Sequence, residues 1–233
     1  MWGGIASLTA VAEGLVERAV LTEIDPDIAA VWSVVLSHDA EHLAKRIVSF
    51  ELSHDSVAEW LHFECQNDLD RAFRAILLNR VNRSGILAPG AGRIKSGENG
   101  RGLASRWYPT TLANRIMAIH AMRDKIRFIQ GDGLASIASA PDNPSTAMFV
   151  DPPYTVAGRR LYRFNHVDHA KLFELCKGGE WRLLMTYDQS PEIERLAARN
   201  GLALERAPMK SSHHEVKFEL MISRDFEWLA NIA

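Results

Sequence analysis

The chain has 233 residues, 47% hydrophobic and 24% charged, which is typical of one globular domain or of a core domain with an insert. The longest apolar stretch, residues 28–36, is too short to cross a bilayer, and the first residues lack the basic segment of a signal peptide. The two cysteines show no metal-binding or disulfide spacing. We therefore expect a cytoplasmic, monomeric protein without membrane association and without bound metal.

The charges are unevenly distributed along the chain. The net charge is −2, which alone argues against a nucleic-acid partner. From Arg71 to Arg106, however, eight Lys and Arg residues stand against a single acid, Glu98. Such local asymmetry indicates a candidate phosphate-binding surface, although a solvated basic loop would have the same composition.

Helical and strand-like segments alternate along the sequence. We predict, in chain order, a helix over 3–15, a strand over 19–24, a helix over 25–36, mostly helical structure over 40–79, a loop or hairpin over 84–102, a helix over 109–122, strands over 126–130 and 148–150, a helix over 168–176, a strand over 182–187, a helix over 191–200 and a strand over 218–223. Strands that alternate with helices predict an α/β sheet with parallel strands.

The most informative motif is Asp151-Pro152-Pro153-Tyr154, directly after the apolar run Met148-Phe149-Val150. Ligands of α/β proteins bind at the carboxyl ends of strands, where this motif lies. The prolines fix two φ angles and remove two N–H donors, while their carbonyls remain acceptors. A tight turn with an exposed tyrosine is the alternative that the tetrapeptide leaves open.

Methylation of a planar amino group requires such an arrangement of acceptors. The lone pair of an aromatic amine is delocalised, and accepting its two N–H groups on Asp151 and on a Pro152 or Pro153 carbonyl favours a pyramidal nitrogen. The Tyr154 ring can stack on the base. Catalysis would then consist mainly of orientation and electrostatic preorganisation, without a strong base.

This tetrapeptide resembles the catalytic motif of Dam-like DNA N6-adenine methyltransferases, and other segments resemble the same family in the same order. These segments are Trp2-Gly3-Gly4-Ile5-Ala6-Ser7, Leu21-Thr22-Glu23-Ile24-Asp25-Pro26-Asp27, Asn79-Arg80-Val81-Asn82-Arg83-Ser84-Gly85-Ile86, Gly131-Asp132, Phe164-Asn165-His166-Val167-Asp168-His169, Thr186-Tyr187-Asp188 and Val216-Lys217-Phe218-Glu219-Leu220-Met221-Ile222. Individually the glycine pairs are weak signals, but the ordered set is specific.

The resemblance implies that S-adenosylmethionine is the cofactor. The residues implied to bind it are Trp2, Gly3, Gly4, Glu23, Asp132 and Asp151. Glu23 has support from the residues themselves, because an acid at the end of a second strand, about 20 residues after a glycine turn, is suited to hold ribose hydroxyls. A surface acid before a helix is the alternative for Glu23, and a turn-forming role is the alternative for Asp132. Asp25 is predicted to cap the following helix.

The implied fold is a Rossmann-like methyltransferase sheet (residues 1–37 and 109–233) with an inserted, mainly helical DNA-recognition domain (residues 38–108). The candidate DNA-binding residues are Arg80, Asn82, Arg83, Ser84, Arg93 and Arg101. Arginine can contact guanine with two hydrogen bonds, and asparagine can do the same with adenine. Ser84 stands where the family often has a polar amide, which puts the target sequence in doubt.

The implied function is methyl transfer to adenine N6 in duplex DNA, with the target base flipped out, as in a restriction-modification enzyme. Two alternatives remain open: an amino-methyltransferase that acts on RNA bases, and a truncated relic that binds DNA but lacks catalytic activity. The second arises because only Met1 and Trp2 precede Gly3. In the family a strand precedes this loop, so we expect the first strand to lie before residue 1 and cofactor binding by this chain to be weak.

Overall fold

The computed structural model describes residues 4–88, 90–97, 100–153, 163–164, 166–210 and 216–227. Its α-helices are α1 Ile5–Ala12, α2 Pro26–Leu36, α3 Ala40–Ser49, α4 His54–His62, α5 Asp68–Val81, α6 Pro109–Ala121, α7 Gly133–Ala138, α8 His169–Lys177 and α9 Pro191–Arg199, with 3₁₀ turns at Arg83–Gly85, Gly102–Arg106 and Arg123–Lys125. Its strands are β1 Ala19–Glu23, β2 Ile126–Gln130, β3 Ala147–Val150, β4 Arg182–Asp188, β5 Ala203–Lys210 and β6 Val216–Ser223. The protein is therefore a mixed α/β structure.

The described strands form two sheets. In the first, β1 and β2 are parallel. In the second, with strand order β3–β4–β6–β5, β3 and β4 are parallel, whereas β6 is antiparallel to both of its neighbours. The predicted parallel strands are confirmed. The Rossmann-like methyltransferase sheet stays a prediction, because among the described strands β1 pairs only with β2, and β3 pairs only with β4.

Two elements were not predicted from the sequence, and both have a physical reason. Strand β5 carries Pro208 and several charged residues, which argue against a central strand, but it lies at a sheet edge where proline is tolerated. Helix α7 has six residues, too few for the helical periodicity of its apolar side chains to be recognised. The other predicted helices and strands are confirmed to within a few residues at their ends.

The chain divides into two compact units, Met1–Asp132 with Leu161–Phe164, and Gly133–Arg160 with Asn165–Ala233. In the first unit, apolar side chains of α2, α3, α5 and α6 form one core, in which Leu43, Ile47 and Phe73 are fully buried. Helices predicted for the recognition insert thus pack on α2 and α6. The division of the chain into a catalytic core and an insert stays a prediction.

The core of the second unit lies around the central strand β4. Met185 and Tyr187 on β4 are fully buried together with Leu220 and Ile222 on β6. Helices α8 and α9 contribute Phe173 and Ile193, among other residues, to the same core. Because both strands beside β4 are held by this core, the carboxyl ends of β3 and β4 have a defined position within the unit.

Side-chain amides hold the described part of the glycine-rich segment between α5 and α6. Asn79 Nδ2 donates a hydrogen bond to the Gly85 carbonyl at 2.9 Å. Asn82 forms an isolated antiparallel bridge with Arg93, which confirms the predicted loop or hairpin. Ser84 adopts a left-handed backbone conformation, with φ of 54°.

The surroundings of Gly97 show how closely this loop is packed. It has φ of +63°, and a Cβ there would lie 2.7 Å from Ser105 Cβ and overlap the Ser105 hydroxyl. Gly100 has a similar φ of +69° but open space around it. We expect Gly100→Ala to destabilise the protein by about 1 kcal/mol through backbone strain. Gly97→Ala should cost about 2 kcal/mol more because of overpacking.

Urea denaturation of the two alanine variants measures this difference in the free energy of unfolding. The Gly100 variant is the matched control for the left-handed backbone. Equal destabilisation of both variants would contradict the close packing of Gly97 against Ser105.

Candidate functional site

Asp151 lies at the end of β3, beside the neighbouring strand β4. The parallel register places Val150 opposite Met185, so Asp151 follows β3 at the level of Thr186. Thr186 Oγ1 donates a hydrogen bond of 2.9 Å to Asp151 Oδ1. Asp151 is exposed as a whole residue, although its carboxyl is partly desolvated. The arrangement holds one carboxylate oxygen in place and leaves Oδ2 outside this bond.

Of the three motif residues that follow Asp151, the structure describes the two prolines. Pro152 and Pro153 are partly buried and, as prolines, have no N–H to donate. Their carbonyls can accept hydrogen bonds directly beside the carboxylate. Tyr154 lies outside the described residues, so its predicted stacking role stays a prediction.

The Asp151 carboxyl lies in an environment that opposes its ionisation. Desolvation is the main cause that raises its pKa, and the negative charge of Glu219 on β6 raises it further. The hydrogen bond from Thr186 acts in the opposite direction and lowers the pKa, although it does not offset the desolvation. Thr186 is therefore the group that favours the ionised, acceptor-only form of Asp151.

Asp188, at the end of β4, is a further acid at this edge of the sheet. Its Oδ1 is enclosed and has no hydrogen-bond partner among the described residues. Desolvation raises the pKa of its carboxyl. Tyr187, between Asp188 and Thr186, is fully buried, and its hydroxyl pairs with His169 Nδ1 at 2.9 Å. Tyr187 and His169 thus brace the strand that carries Thr186.

The roles of Thr186 and Asp188 were not predicted from the sequence. The segment Thr186-Tyr187-Asp188 was recognised only as a part of the resemblance. Its position on a strand that follows the motif strand was the available signal, because parallel neighbours end at the same edge of a sheet. The register that brings Thr186 to Asp151 cannot be read from that position alone.

Glu23 and Asp132, the residues predicted to bind the nucleoside of the cofactor, both lie in the first unit. In the parallel pair β1–β2, Glu23 is the last residue of β1 and lies opposite Gln130, and Asp132 follows β2 at the same edge. Glu23 Oε1 accepts the Asp25 backbone N–H at 2.9 Å, and burial is the main cause that raises the pKa of Glu23. The other Glu23 oxygen, Oε2, takes no part in that bond. Two carboxylates at one edge suit ribose hydroxyls and an adenine amino group.

Residues next to these carboxylates are held by packing and by a helix cap. Gly4, at the start of α1, is buried, and a Cβ there would lie 2.7 Å from the Trp32 ring, so glycine is required here by the packing of Trp32. Asp25 caps α2 by accepting the Asp27 N–H, which confirms the predicted capping role. Trp2 and Gly3 lie outside the described residues, so their role in the cofactor loop stays a prediction.

The candidate DNA-binding residues differ in how accessible their polar groups are. Asn82 is buried, and both ends of its amide are bonded within the chain, to Arg93 and to the Ile86 carbonyl. Arg93 also donates to the Ala91 carbonyl. In this conformation Asn82 and Arg93 hold the loop together, and a contact with a base would require these bonds to break.

Arg83 and Ser84 are exposed and line a pocket of about 490 Å³. Lys95, Ser96, Gly97, Ser105 and Arg106 line the same pocket, together with Ile94. Arg101 is exposed and packs over the Tyr108 ring, 5.0 Å from its centroid. Arg80 is half-buried near the end of α5. The candidate DNA-binding cations therefore lie on more than one element of the structure.

No group of three or more His, Cys, Asp or Glu side chains in the described part of the chain could hold a metal ion. No described helix is both long enough and apolar enough to span a membrane.

Comparisons with known proteins give little guidance on family. No family model matches the chain, and no curated protein matches it. Among solved structures, the crystal structure of a candidate RNA methyltransferase from Pyrococcus horikoshii aligns with 80% of this chain and 97% of its own, at 14% identity and a TM-score of 0.28. Because the TM-score is low, this overlap supports no conclusion on function.

The Thr186–Asp151 hydrogen bond leads to a prediction about ionisation. Thr186→Val removes the donor, so we expect the pKa of Asp151 to rise above its wild-type value, because the hydrogen bond favours the ionised form. Thr186→Ser keeps a hydroxyl and should titrate like the wild type. The measurement is an NMR titration of the Asp151 carboxyl carbon against pH, and an unchanged titration in the valine variant would refute the role of Thr186.

Proposed function

We propose that this protein is an S-adenosylmethionine-dependent DNA N6-adenine methyltransferase of the Dam-like class. The observation that carries the proposal is the position of Asp151 at the carboxyl end of β3, oriented by Thr186 and followed by two prolines. A carboxylate next to proline carbonyls offers two kinds of acceptor, which is what a planar amino group with two N–H donors requires.

The residues of the second unit orient the amino group in this proposal. Ionised Asp151 accepts one N–H, and the carbonyl of Pro152 or Pro153 accepts the other. The lone pair of the nitrogen then points away from both acceptors, in the direction from which a methyl group can be received. Thr186 fixes the Asp151 carboxylate, so less reorganisation is needed during reaction. The bound cofactor supplies an electrophilic methyl group.

Residues of the first unit are assigned to the cofactor. Glu23 accepts hydrogen bonds from the ribose hydroxyls, Asp132 accepts one from the adenine amino group, and Gly4 belongs to the cofactor loop. The shared edge of β1 and β2 supports the assignment of Glu23 and Asp132. Trp2 and Gly3 belong to the same proposed loop.

Duplex DNA is proposed as the substrate because of the basic segment between α5 and α6. Arg83, Lys95 and Arg106 line one pocket, which suits contacts with phosphates. The target adenine would be flipped out of the stack to reach Asp151. Arg80, Arg83 and Arg101 remain candidates for contacts with phosphates or base edges. Asn82 and Arg93 are assigned instead to holding the loop.

Asp151→Ala tests the catalytic assignment. We expect methyl transfer to fall by about 10²-fold or more, because the variant loses an acceptor that acts mainly in the transition state. Binding of duplex DNA should be unchanged. Glu205→Ala, which removes an exposed carboxylate on β5 of the same unit, is the matched control and should keep full activity.

The assay is transfer of a labelled methyl group to duplex DNA and, in parallel, to structured RNA. Activity of the Asp151 variant within a few-fold of the wild type would exclude the proposed role of Asp151. Transfer to RNA alone would identify the RNA-base alternative. Binding of DNA without binding of S-adenosylmethionine in calorimetry would identify a relic without catalytic activity.

A further inference from the structure

A second cavity, of about 280 Å³, lies in the first unit and is lined by three arginines. They come from separate segments: Arg74 from α5, Arg93 from the loop between α5 and α6, and Arg163 from the short segment 161–164. Asp27, in the first turn of α2, is the single acid among the described residues that line the cavity. Three guanidinium charges minus one carboxylate charge leave a surplus of two positive charges on its wall.

Ion pairs with Asp27 hold two of these arginines in place. Arg163 Nη1 lies 3.1 Å from Asp27 Oδ2, and Arg74 Nη2 lies 3.7 Å from Asp27 Oδ1. Because both guanidinium groups face one carboxylate, they lie near each other on the cavity wall. Arg71 Nε also lies 4.0 Å from Asp27 Oδ1. The single charge of Asp27 is thus shared among three cations and cannot neutralise them all.

Arg93 brings a further cation to the cavity, and within the described chain it pairs with no carboxylate. Its Nη1 donates to the Asn82 side chain and to the Ala91 carbonyl, which are both neutral acceptors. These bonds fix the direction of the guanidinium group, and Nη2 takes part in neither of them. The loop therefore holds Arg93 at the cavity without neutralising its charge.

A purely structural role explains only part of this arrangement. Asp27 links α2 to α5 through Arg74, and such a link needs one cation for one carboxylate. It accounts neither for the second pair, with Arg163, nor for Arg93 on the same wall. Like charges on a partly enclosed wall repel one another, and an anion in the cavity would offset that repulsion.

The charge surplus and the rest of the wall indicate the kind of anion. A phosphomonoester carries a charge of about −1.5 to −2 at pH 7 and presents three acceptor oxygens, whereas each phosphodiester carries one negative charge. The surplus of positive charge therefore matches the monoester. The cavity is also lined by leucines of separate segments, Leu61, Leu78 and Leu87, so it can take an apolar or aromatic body attached to the phosphate.

We propose that this cavity binds a small organic phosphomonoester whose phosphate group is held by Arg74, Arg93 and Arg163. Asp27 orients the guanidinium groups of Arg74 and Arg163, so its role is to position the residues that bind. A nucleotide or another small phosphorylated molecule has the required chemistry. This site does not rest on the proposed function, because neither methyl transfer nor duplex DNA enters the argument for it.

The first experiment compares three probes by calorimetry on the unmodified full chain. Phenyl phosphate is a monoester with an aromatic body, methyl phenyl phosphate is a diester with the same body, and inorganic phosphate has no body. We expect phenyl phosphate to bind more tightly than the diester by about tenfold or more, because it offers an additional charged acceptor. It should also bind more tightly than inorganic phosphate, because its ring contacts the leucines.

The second experiment measures the affinity for phenyl phosphate in variants of Arg163. Arg163→Gln removes one of the three cations, and we expect the affinity to fall by about tenfold or more. Arg163→Lys keeps the positive charge and should lose less. The matched control is Arg123→Gln, because Arg123 also pairs with one aspartate and its side chain is 44% exposed, against 38% for Arg163. Circular dichroism verifies that each variant is folded.

The outcomes decide the proposal without any measurement of methyl transfer. Equal affinity for the monoester and the diester, or for phenyl phosphate and inorganic phosphate, would overturn the assignment to an organic phosphomonoester. Absence of binding, or an equal loss of affinity in Arg163→Gln and Arg123→Gln, would overturn the site itself. The comparison of probes uses the unmodified chain, so it decides the proposal even if a variant fails to fold. Loss of activity in Asp151→Ala bears only on the catalytic assignment.

Discussion

The parallel pairing of β3 with β4 is the constraint on which the candidate active site depends. With Val150 opposite Met185, the residue after β3 meets Thr186, and a hydrogen bond of 2.9 Å joins the two side chains. A shift of one residue in this register would turn the side chains to the other face of the sheet and separate the pair. The buried side chains of Met185 and Tyr187 hold the register, so packing in the core determines where the carboxylate lies.

The basic loop depends on a different constraint, the conformation of its backbone. Asn82, buried beneath the loop, bonds to Arg93 and to a carbonyl of the following turn, while Gly97 leaves room for Ser105. These contacts act together with Leu103, which packs into the apolar core of the first unit. Arg83, Arg93 and Arg106 each donate at least one hydrogen bond to an oxygen of this segment, so these guanidinium groups take part in holding it.

Much of the fold could be predicted from the sequence because its helices and strands carry clear patterns. The strand before Asp151 and the cap at Asp25 are local features, and both are confirmed. The pairing of Asp151 with Thr186, 35 residues away, depends on strand register and could not be predicted. The burial of Asn82 was missed for a related reason: its two bonds form only when the loop closes on Arg93. Strand β5 was hidden by its proline and charges, which an edge position tolerates.

The most direct test of the central claim is to identify the methylated product. The chain is incubated with duplex DNA and S-adenosylmethionine carrying an isotopically labelled methyl group, and the DNA is digested to nucleosides for mass spectrometry. The proposed function, with an adenine amino group held by Asp151 and a proline carbonyl, predicts labelled N6-methyladenine. Label on a ring carbon of a base would contradict this chemistry, because methylation at carbon does not use two acceptors for an amino group. Absence of label from DNA, with cofactor bound, would equally contradict it.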